Sequence, residues 1–151
     1  MKQLRMFLTL LFKFSSPVTA EAYQLIIPKL EIQIPVGTEN YLTDLNHGAA
    51  KWAWTPDPGQ PGNTVLGGHR TVGPGYFIDL DRLKEGDEII FQSDGHRYHY
   101  QVADTFVLTR PHEAMLIDGL VEEFDVLTLV TCHPKYQDSE RLVVRARVKN
   151  Q

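Results

Sequence analysis

The last run of the chain, residues 141–149, alternates with a period of two: Leu142, Val144, Ala146 and Val148 fall on one side, and Arg141, Val143, Arg145 and Arg147 on the other. Such a segment can bury its apolar side only as a β-strand with one face on a core. The opposite side, with three arginines, projects outward, and Arg145 and Arg147 are expected to be solvated charge. Runs of the same kind, rich in Val, Ile, Leu, Tyr and Thr and bounded by turn formers, lie at residues 23–27, 30–35, 63–66, 88–92, 97–108 and 125–131. Only two short helical candidates interrupt them. Residues 77–83 repeat Phe77, Leu80 and Leu83 at three-residue spacing, and a second turn is expected at 111–116. About seven or eight strands with so little helix favour a mainly β fold, a closed or nearly closed barrel with one or two short helices plugging it, over a doubly wound sheet.

The chain has 151 residues, 42% hydrophobic and 23% charged, the size and composition of one globular domain that needs no disulfide or structural metal. With 15 Lys plus Arg against 19 Asp plus Glu, the net charge of −4 makes nucleic acid a poor partner. No His/Cys spacing fits a zinc site, so no cofactor is expected: Cys132 and His133 are adjacent, and His96 and His99 would face opposite ways on a strand. At the N-terminus Lys2 and Arg5 lead into the apolar residues 6–12, which Lys13 ends after roughly 10 Å of helix against a hydrocarbon core of about 30 Å. Residues 1–20 are thus expected to be a weak signal peptide, the remnant of a longer anchor or a frayed lead-in, with residues 21–151 as the folded domain. The Pro- and Gly-rich stretch 56–62 reads as a rigid turn before the 63–66 strand. Trp52 and Trp54 just upstream share one face if extended, suited to core or lid packing or to a substrate wall.

Chemistry concentrates in two stretches. Thr128-Leu-Val-Thr-Cys-His-Pro134 puts the single cysteine, Cys132, where a strand gives way to a loop, with Arg141 nine positions on. A lone cysteine there is either a small buried hydrophobe or a reactive thiol. Gly62-Asn-Thr-Val-Leu-Gly-Gly-His-Arg70 runs from a strand through Gly67 and Gly68, which permit positive φ and close approach, into His69. His69 is either a surface-turn residue or a catalytic imidazole.

Together, His69, Cys132 and Arg141 resemble the His, Cys and Arg triad of sortases, in which Thr-Leu-x-Thr-Cys precedes an arginine on the next strand. The likeness runs over about four-fifths of the chain, and includes Ile27-Pro-Lys-Leu30, Asn63-Thr-Val-Leu-Gly-Gly-His-Arg70, Phe77-Ile-Asp-Leu-Asp-Arg-Leu83 and Gly86-Asp-Glu-Ile89. The segments Cys132-His-Pro-Lys-Tyr136 and Arg141-Leu-Val-Val144 look most like class E, with class D next. The resemblance implies a closed sortase-type β-barrel and a cysteine transpeptidase. It would cleave a Leu-x-x-Thr-Gly-like sorting signal, Leu-Ala-x-Thr-Gly being a variant, between Thr and Gly. It would join the acyl group to an amine of a peptidoglycan precursor or a pilin.

On that reading Cys132 is the nucleophile, His69 the proton donor and acceptor, and Arg141 the oxyanion and carbonyl ligand, with Thr131 as a further oxyanion or substrate contact. The partners implied are surface proteins bearing sorting signals. The place implied is the extracytoplasmic cell surface, with the full-length protein membrane-associated, and calcium dependence is left open. Competing readings are a thiol peptidase or peptidoglycan L,D-transpeptidase and a noncatalytic peptide-binding β-barrel. The order His before Cys and the arginine tell against the first; thiol reactivity decides the second.

Overall fold

The computed structural model describes residues 23–109 and 124–149. Eight strands form a closed barrel: β1 Gln24–Ile27, β2 Ile32–Gly37, β3 Ala49–Lys51, β4 Gly62–Gly67, β5 Glu88–Ser93, β6 His96–Thr109, β7 Asp125–His133 and β8 Glu140–Val148. Their order around the wall is β1-β2-β3-β4-β7-β8-β6-β5, and β5 closes on β1. Closure leaves no unpaired sheet edge. Two neighbour pairs, β2 with β3 and β4 with β7, are parallel; the others are antiparallel.

The alternation read in the last strand sets the wall's two faces. Leu66, Leu129 and Val144 point into the main core, with Leu25, Phe91 and Tyr100, all fully buried. Each such side chain contributes about 1.5–3 kcal/mol relative to exposure. Residues of opposite parity on three adjacent strands, Val65, Val130 and Val143, form a second apolar cluster outside the main core, with Trp52, Phe106 and Leu108 packed against it. This outer cluster floors the surface on which the candidate site lies.

Two expectations need correction, and a third falls outside the described residues. The segment expected as a strand from residue 30 opens instead with a 3-10 turn, Pro28–Leu30, because the proline starts it and Glu31 leaves it in a left-handed conformation; β2 begins at Ile32. Residues 77–83 do not form a full helix: only Leu80–Arg82 is a 3-10 turn, though Phe77, Leu80 and Leu83 all fill the barrel as their spacing implied. The second helical turn, expected at 111–116, lies outside the described residues.

The sequence reading also passed over two short elements. β3 is Ala-Ala-Lys, without a β-branched residue. The four-residue helix α1, Tyr41–Asp44, is capped by the Asn40 side chain, which accepts from the Thr43 N–H at 3.3 Å.

The turn-rich stretch 56–62 is held from inside the barrel. Asp125, the first residue of β7, accepts the Tyr100 hydroxyl at 2.8 Å and the Gly59 N–H at 3.0 Å. Gly59 sits at φ 87° against the Tyr98 ring, where a side chain would be strained and crowded. This tie fixes where β4 enters the sheet, and β4 leads to His69.

Candidate active site

Three strands deliver the three predicted residues to one end of the barrel. On β7 and β8, Cys132 and Arg141 are directly opposite, one pair before the turn-side pair His133 and Glu140. The parallel β4–β7 ladder ends at Gly67 beside Val130, and the Gly68 N–H still donates to the Val130 carbonyl at 3.1 Å. Two residues further along each chain come Cys132, still within β7, and His69, beyond the end of β4. Parity puts Cys132 and Arg141 on the same outer face as Val130 and Val143, while His69 follows Val65 and Gly67 after the strand has ended. An apolar floor therefore runs up to a thiol with a guanidinium opposite it across the ladder, and the chain that leaves the neighbouring β4 carries the imidazole.

Cys132 is half-buried and unbonded to any other sulfur. His69 is half-buried as well, and its backbone carbonyl accepts from the Phe77 N–H at 3.0 Å. Among the described residues nothing hydrogen-bonds its ring. Arg141 Nη1 donates to the carbonyls of Asp138 at 3.0 Å and Glu140 at 2.9 Å. The guanidinium is thus already a ligand of backbone carbonyl groups, the chemistry that binding an extended peptide requires.

Gly67 and Gly68 act through close approach, contrary to the expectation of positive φ, which neither adopts. A Cβ on Gly67 would collide with the Tyr41 hydroxyl, and one on Gly68 would stand 2.5 Å from the Phe77 ring. The two glycines let α1 and the 77–83 segment pack directly on the chain that ends in His69.

Thr131 faces the barrel interior, 3% exposed, and its hydroxyl donates to the Gly68 carbonyl at 2.7 Å. That hydroxyl ties β7 to the chain just before His69. Arg145 differs from the solvated charge expected of it: it is half-buried, its guanidinium lies 5.3 Å from the Phe106 ring centroid, and its Nε is buried with no hydrogen-bond partner among the described residues. Phe106 reaches it from β6, a contact that reading one strand could not supply. Arg147 is exposed as expected. Trp52 packs on the outer cluster, while Trp54 is 64% exposed with its ring centroid 6.1 Å from that of Trp52.

The residue the sequence reading missed is Arg70. Only 3% of it is exposed, yet its guanidinium reaches the Cys132 carbonyl at 3.2 Å, His133 Nδ1 at 2.8 Å and the Asp81 carboxylate at 3.1 Å. The available signal was a charged residue immediately after Gly67-Gly68-His69 on a chain entering the barrel end, with Asp79 and Asp81 following it. Lys135 bridges the same acids, at 3.6 Å from Asp79 and 3.9 Å from Asp81.

His96 and His99 lie on β6, far along the chain from the triad, with His99 Nδ1 2.8 Å from Glu88. The described residues contain no group of three or more His, Cys, Asp or Glu arranged to hold a metal.

A family model for the sortase domain matches residues 25–149. The chain belongs to the sortase family. Among curated sortases it is similar to Sortase SrtE1 of Streptomyces coelicolor, 26% identical over 131 residues that make up 78% of this chain and 37% of that protein. It is also similar to Sortase D of Bacillus subtilis, 25% identical over 119 residues, 78% of this chain and 58% of the relative. The chain thus spans well under two thirds of the length of either sortase. Among solved sortases, Sortase A from Corynebacterium diphtheriae superposes with a TM-score of 0.76 at 28% identity, covering 86% of this chain and 61% of that one. Streptococcus agalactiae Sortase C1 gives 0.77 at 27% identity, covering 85% and 67%. The mainly β closed barrel expected of a sortase is the fold observed.

Proposed function

We propose that this chain is a sortase-type cysteine transpeptidase of the class E type, with residues 21–151 as its catalytic domain. The observation that supports the reading is Cys132 directly opposite Arg141 on β7 and β8, at the end of an outer apolar floor, with His69 two residues past the end of the adjacent β4. Its substrate is a surface protein bearing a Leu-x-x-Thr-Gly-like signal, Leu-Ala-x-Thr-Gly included, lying extended along that floor.

In the first half-reaction the Cys132 thiolate attacks the threonine carbonyl carbon. The carbonyl electron pair moves onto oxygen, and the Arg141 guanidinium holds the oxyanion by charge-assisted hydrogen bonds. Collapse of the tetrahedral intermediate breaks the Thr–Gly bond, and His69 as imidazolium gives its proton to the leaving glycine amine. A thioester to Cys132 remains. In the second half-reaction an acceptor amine of a peptidoglycan precursor or a pilin attacks the thioester, neutral His69 takes the amine proton, and the thiolate is regenerated. No metal or cofactor enters either step.

The reading places the protein at the extracytoplasmic cell surface, membrane-associated in its full-length form, and residues 1–20 as a signal or the end of an anchor. Among the described residues no helix is long and apolar enough to cross a membrane. Support for class E comes from the sequence after the cysteine and from SrtE1 among the relatives.

Mass spectrometry of the protein with a panel of Leu-x-x-Thr-Gly and Leu-Ala-x-Thr-Gly peptides tests the proposal. A thioester adduct on Cys132 with release of the glycine-terminated fragment supports it. An unmodified, inert thiol with every peptide points to a binding barrel instead.

A further inference from the structure

Where β4 leaves the sheet, a side chain takes over from the backbone. In a parallel ladder one strand supplies N–H donors at alternate residues. The Gly68 N–H serves the Val130 carbonyl, so the next acceptor along that edge, the Cys132 carbonyl, would look to the Arg70 N–H had β4 continued. The chain turns outward at His69 instead, and the Arg70 side chain reaches back: its Nη1 donates to the Cys132 carbonyl at 3.2 Å. The guanidinium thereby closes the ladder while freeing residues 69 and 70 from strand geometry.

The same Nη1 lies 2.8 Å from His133 Nδ1. A guanidinium only donates, so Nδ1 must be the acceptor and the His133 ring proton sits on Nε2, the nitrogen that is 4.0 Å from Glu140. On its other side Arg70 Nη2 meets Asp81 at 3.1 Å, and Nε points at the Ile78 carbonyl at 3.5 Å. One buried group thus grips the nucleophile's own carbonyl, the residue after it and the 78–81 segment, and it adjoins His69 in sequence.

We propose that Arg70 is a positioning residue for the acyl-transfer reaction, fixing the backbone of Cys132 and His133 so that the thiol keeps its line to His69 and Arg141. The proposal rests on the transpeptidase reading for its kinetic readout, and on hydrogen-bond geometry alone for its spectroscopic one. Lysine at position 70 keeps the charge but has no planar fork to hold two acceptors on one nitrogen and a carboxylate on another. A small alkylating reagent meets a thiol from many directions, whereas a bound peptide carbonyl must be met along one; misplacement of reacting groups by about 1 Å costs on the order of 100-fold.

The experiment compares wild type with Arg70→Lys in the full chain. The readouts are kcat and KM with a sorting peptide, the rate of Cys132 alkylation by iodoacetamide against pH, and the cooperativity of thermal unfolding. The expected result is a fall in kcat of roughly 30- to 100-fold with KM and the alkylation profile each within about threefold. Wild-type kcat in Arg70→Lys overturns the proposal. So does an alkylation rate that falls in step with kcat while unfolding stays cooperative, because Arg70 would then act on the thiol's ionisation rather than on its placement.

Should Arg70→Lys not fold, the ¹⁵N ring shifts of His133 in the wild type decide. A single Nε2–H tautomer with Nδ1 accepting supports the Arg70 cradle, and an Nδ1–H ring overturns it. A wild type that forms no adduct with any sorting peptide defeats the transpeptidase reading, and the His133 shifts still test the cradle on their own.

Discussion

Cys132 and Arg141 face one another across the β7–β8 ladder, so that the proposed nucleophile and its proposed cationic partner are fixed by strand register rather than by a loop. Directly opposed residues in an antiparallel pair hold their Cβ atoms about 4.5–5.5 Å apart. A slip of one residue would turn either side chain to the barrel interior. The buried Leu127, Leu129, Val144 and Ala146 on these two strands guard against such a slip, since it would expose them. The same alternation that packs the core therefore turns both side chains to the outer face, and His69 follows β4, the strand that the parallel register sets beside β7.

Because Cys132 lies on the outer face and is only half-buried, Cys132→Ala is expected to leave the fold intact and abolish both thioester formation and turnover. Mass spectrometry for the adduct and circular dichroism for the fold check this together. Retained turnover by a folded Cys132→Ala protein would remove the covalent mechanism.

The barrel could be read from the sequence because its strands depend on local patterns, alternation in β8 and apolar runs in β4 and β7, whereas the roles of His69, Cys132 and Arg141 came from the resemblance to sortases and are proposals. Contacts made across the fold were not readable in this way. Arg70 becomes buried only when residues 78–81 and 133 return to it from distant parts of the chain. Arg145 finds Phe106 through the long pairing of β6 with β8, whose register shifts between Val102 and Asp104. Thr131 shows the same limit: its place beside Cys132 suggested a role facing the substrate, but strand parity turns it inward to Gly68.

His69→Ala is expected to lower turnover by roughly two to four orders of magnitude, the span of a general acid–base contribution. His99→Gln, changed on β6 where the ring pairs with Glu88, serves as the control and should retain most activity. His133 is not an equivalent control, because its ring is bound by Arg70. Equal damage from His69 and His99 substitutions, measured as steady-state turnover, would remove His69 from the mechanism.

Thr131→Val keeps the shape but deletes the hydroxyl that ties β7 to Gly68. A buried carbonyl that loses its partner costs about 1–3 kcal/mol, so the melting temperature should fall. Turnover should fall with it, because Gly68 immediately precedes His69. Thr131→Ser, which retains the donor, should recover most of both. If Thr131→Val melts like wild type but loses activity, the hydroxyl acts on substrate instead.

Two carboxylates should give opposite pH dependences of stability. The hydrogen bond from Lys29, at 2.7 Å, and that from the Lys84 N–H hold Asp87 below its ordinary value of 3.8. Its contribution is therefore present above about pH 4 and lost as pH falls through the lower folded value. For a partly exposed pair this amounts to no more than about 1 kcal/mol. Burial pushes Asp125 the other way, above 3.8, so the native state holds its proton more tightly than the unfolded chain. Stability from that group declines as pH rises from about 4 through the raised value. In melts from pH 3 to 7 the advantage of wild type over Asp87→Asn should shrink on acidification, and that over Asp125→Asn should grow. Parallel trends for the two variants would contradict the assignment.

Arg141 allows charge and geometry to be separated. Its Nη1 donates to two carbonyl oxygens, those of Asp138 and Glu140, and the planar guanidinium carries donors on three nitrogens in a fixed arrangement that a single flexible ammonium lacks. Arg141→Lys preserves the positive charge opposite Cys132 but loses the fork, so a contribution from charge alone would survive the change while one from directed donors would not. Loss of one well-placed oxyanion donor costs about 10²- to 10³-fold in turnover, and Arg141→Lys is expected in that range or lower, with Arg141→Ala no better. Arg147→Lys, on the same face of β8 but exposed, should stay near wild type. Arg145→Lys should lose only the stacking on Phe106, worth about 0.5–1 kcal/mol of stability, and little turnover. The deciding measurement is turnover at equal folded concentration, with melting curves to separate loosening of the 134–139 loop from loss of the donor. Near-wild-type turnover in Arg141→Lys would reduce Arg141 to general electrostatics and leave the oxyanion without its assigned ligand.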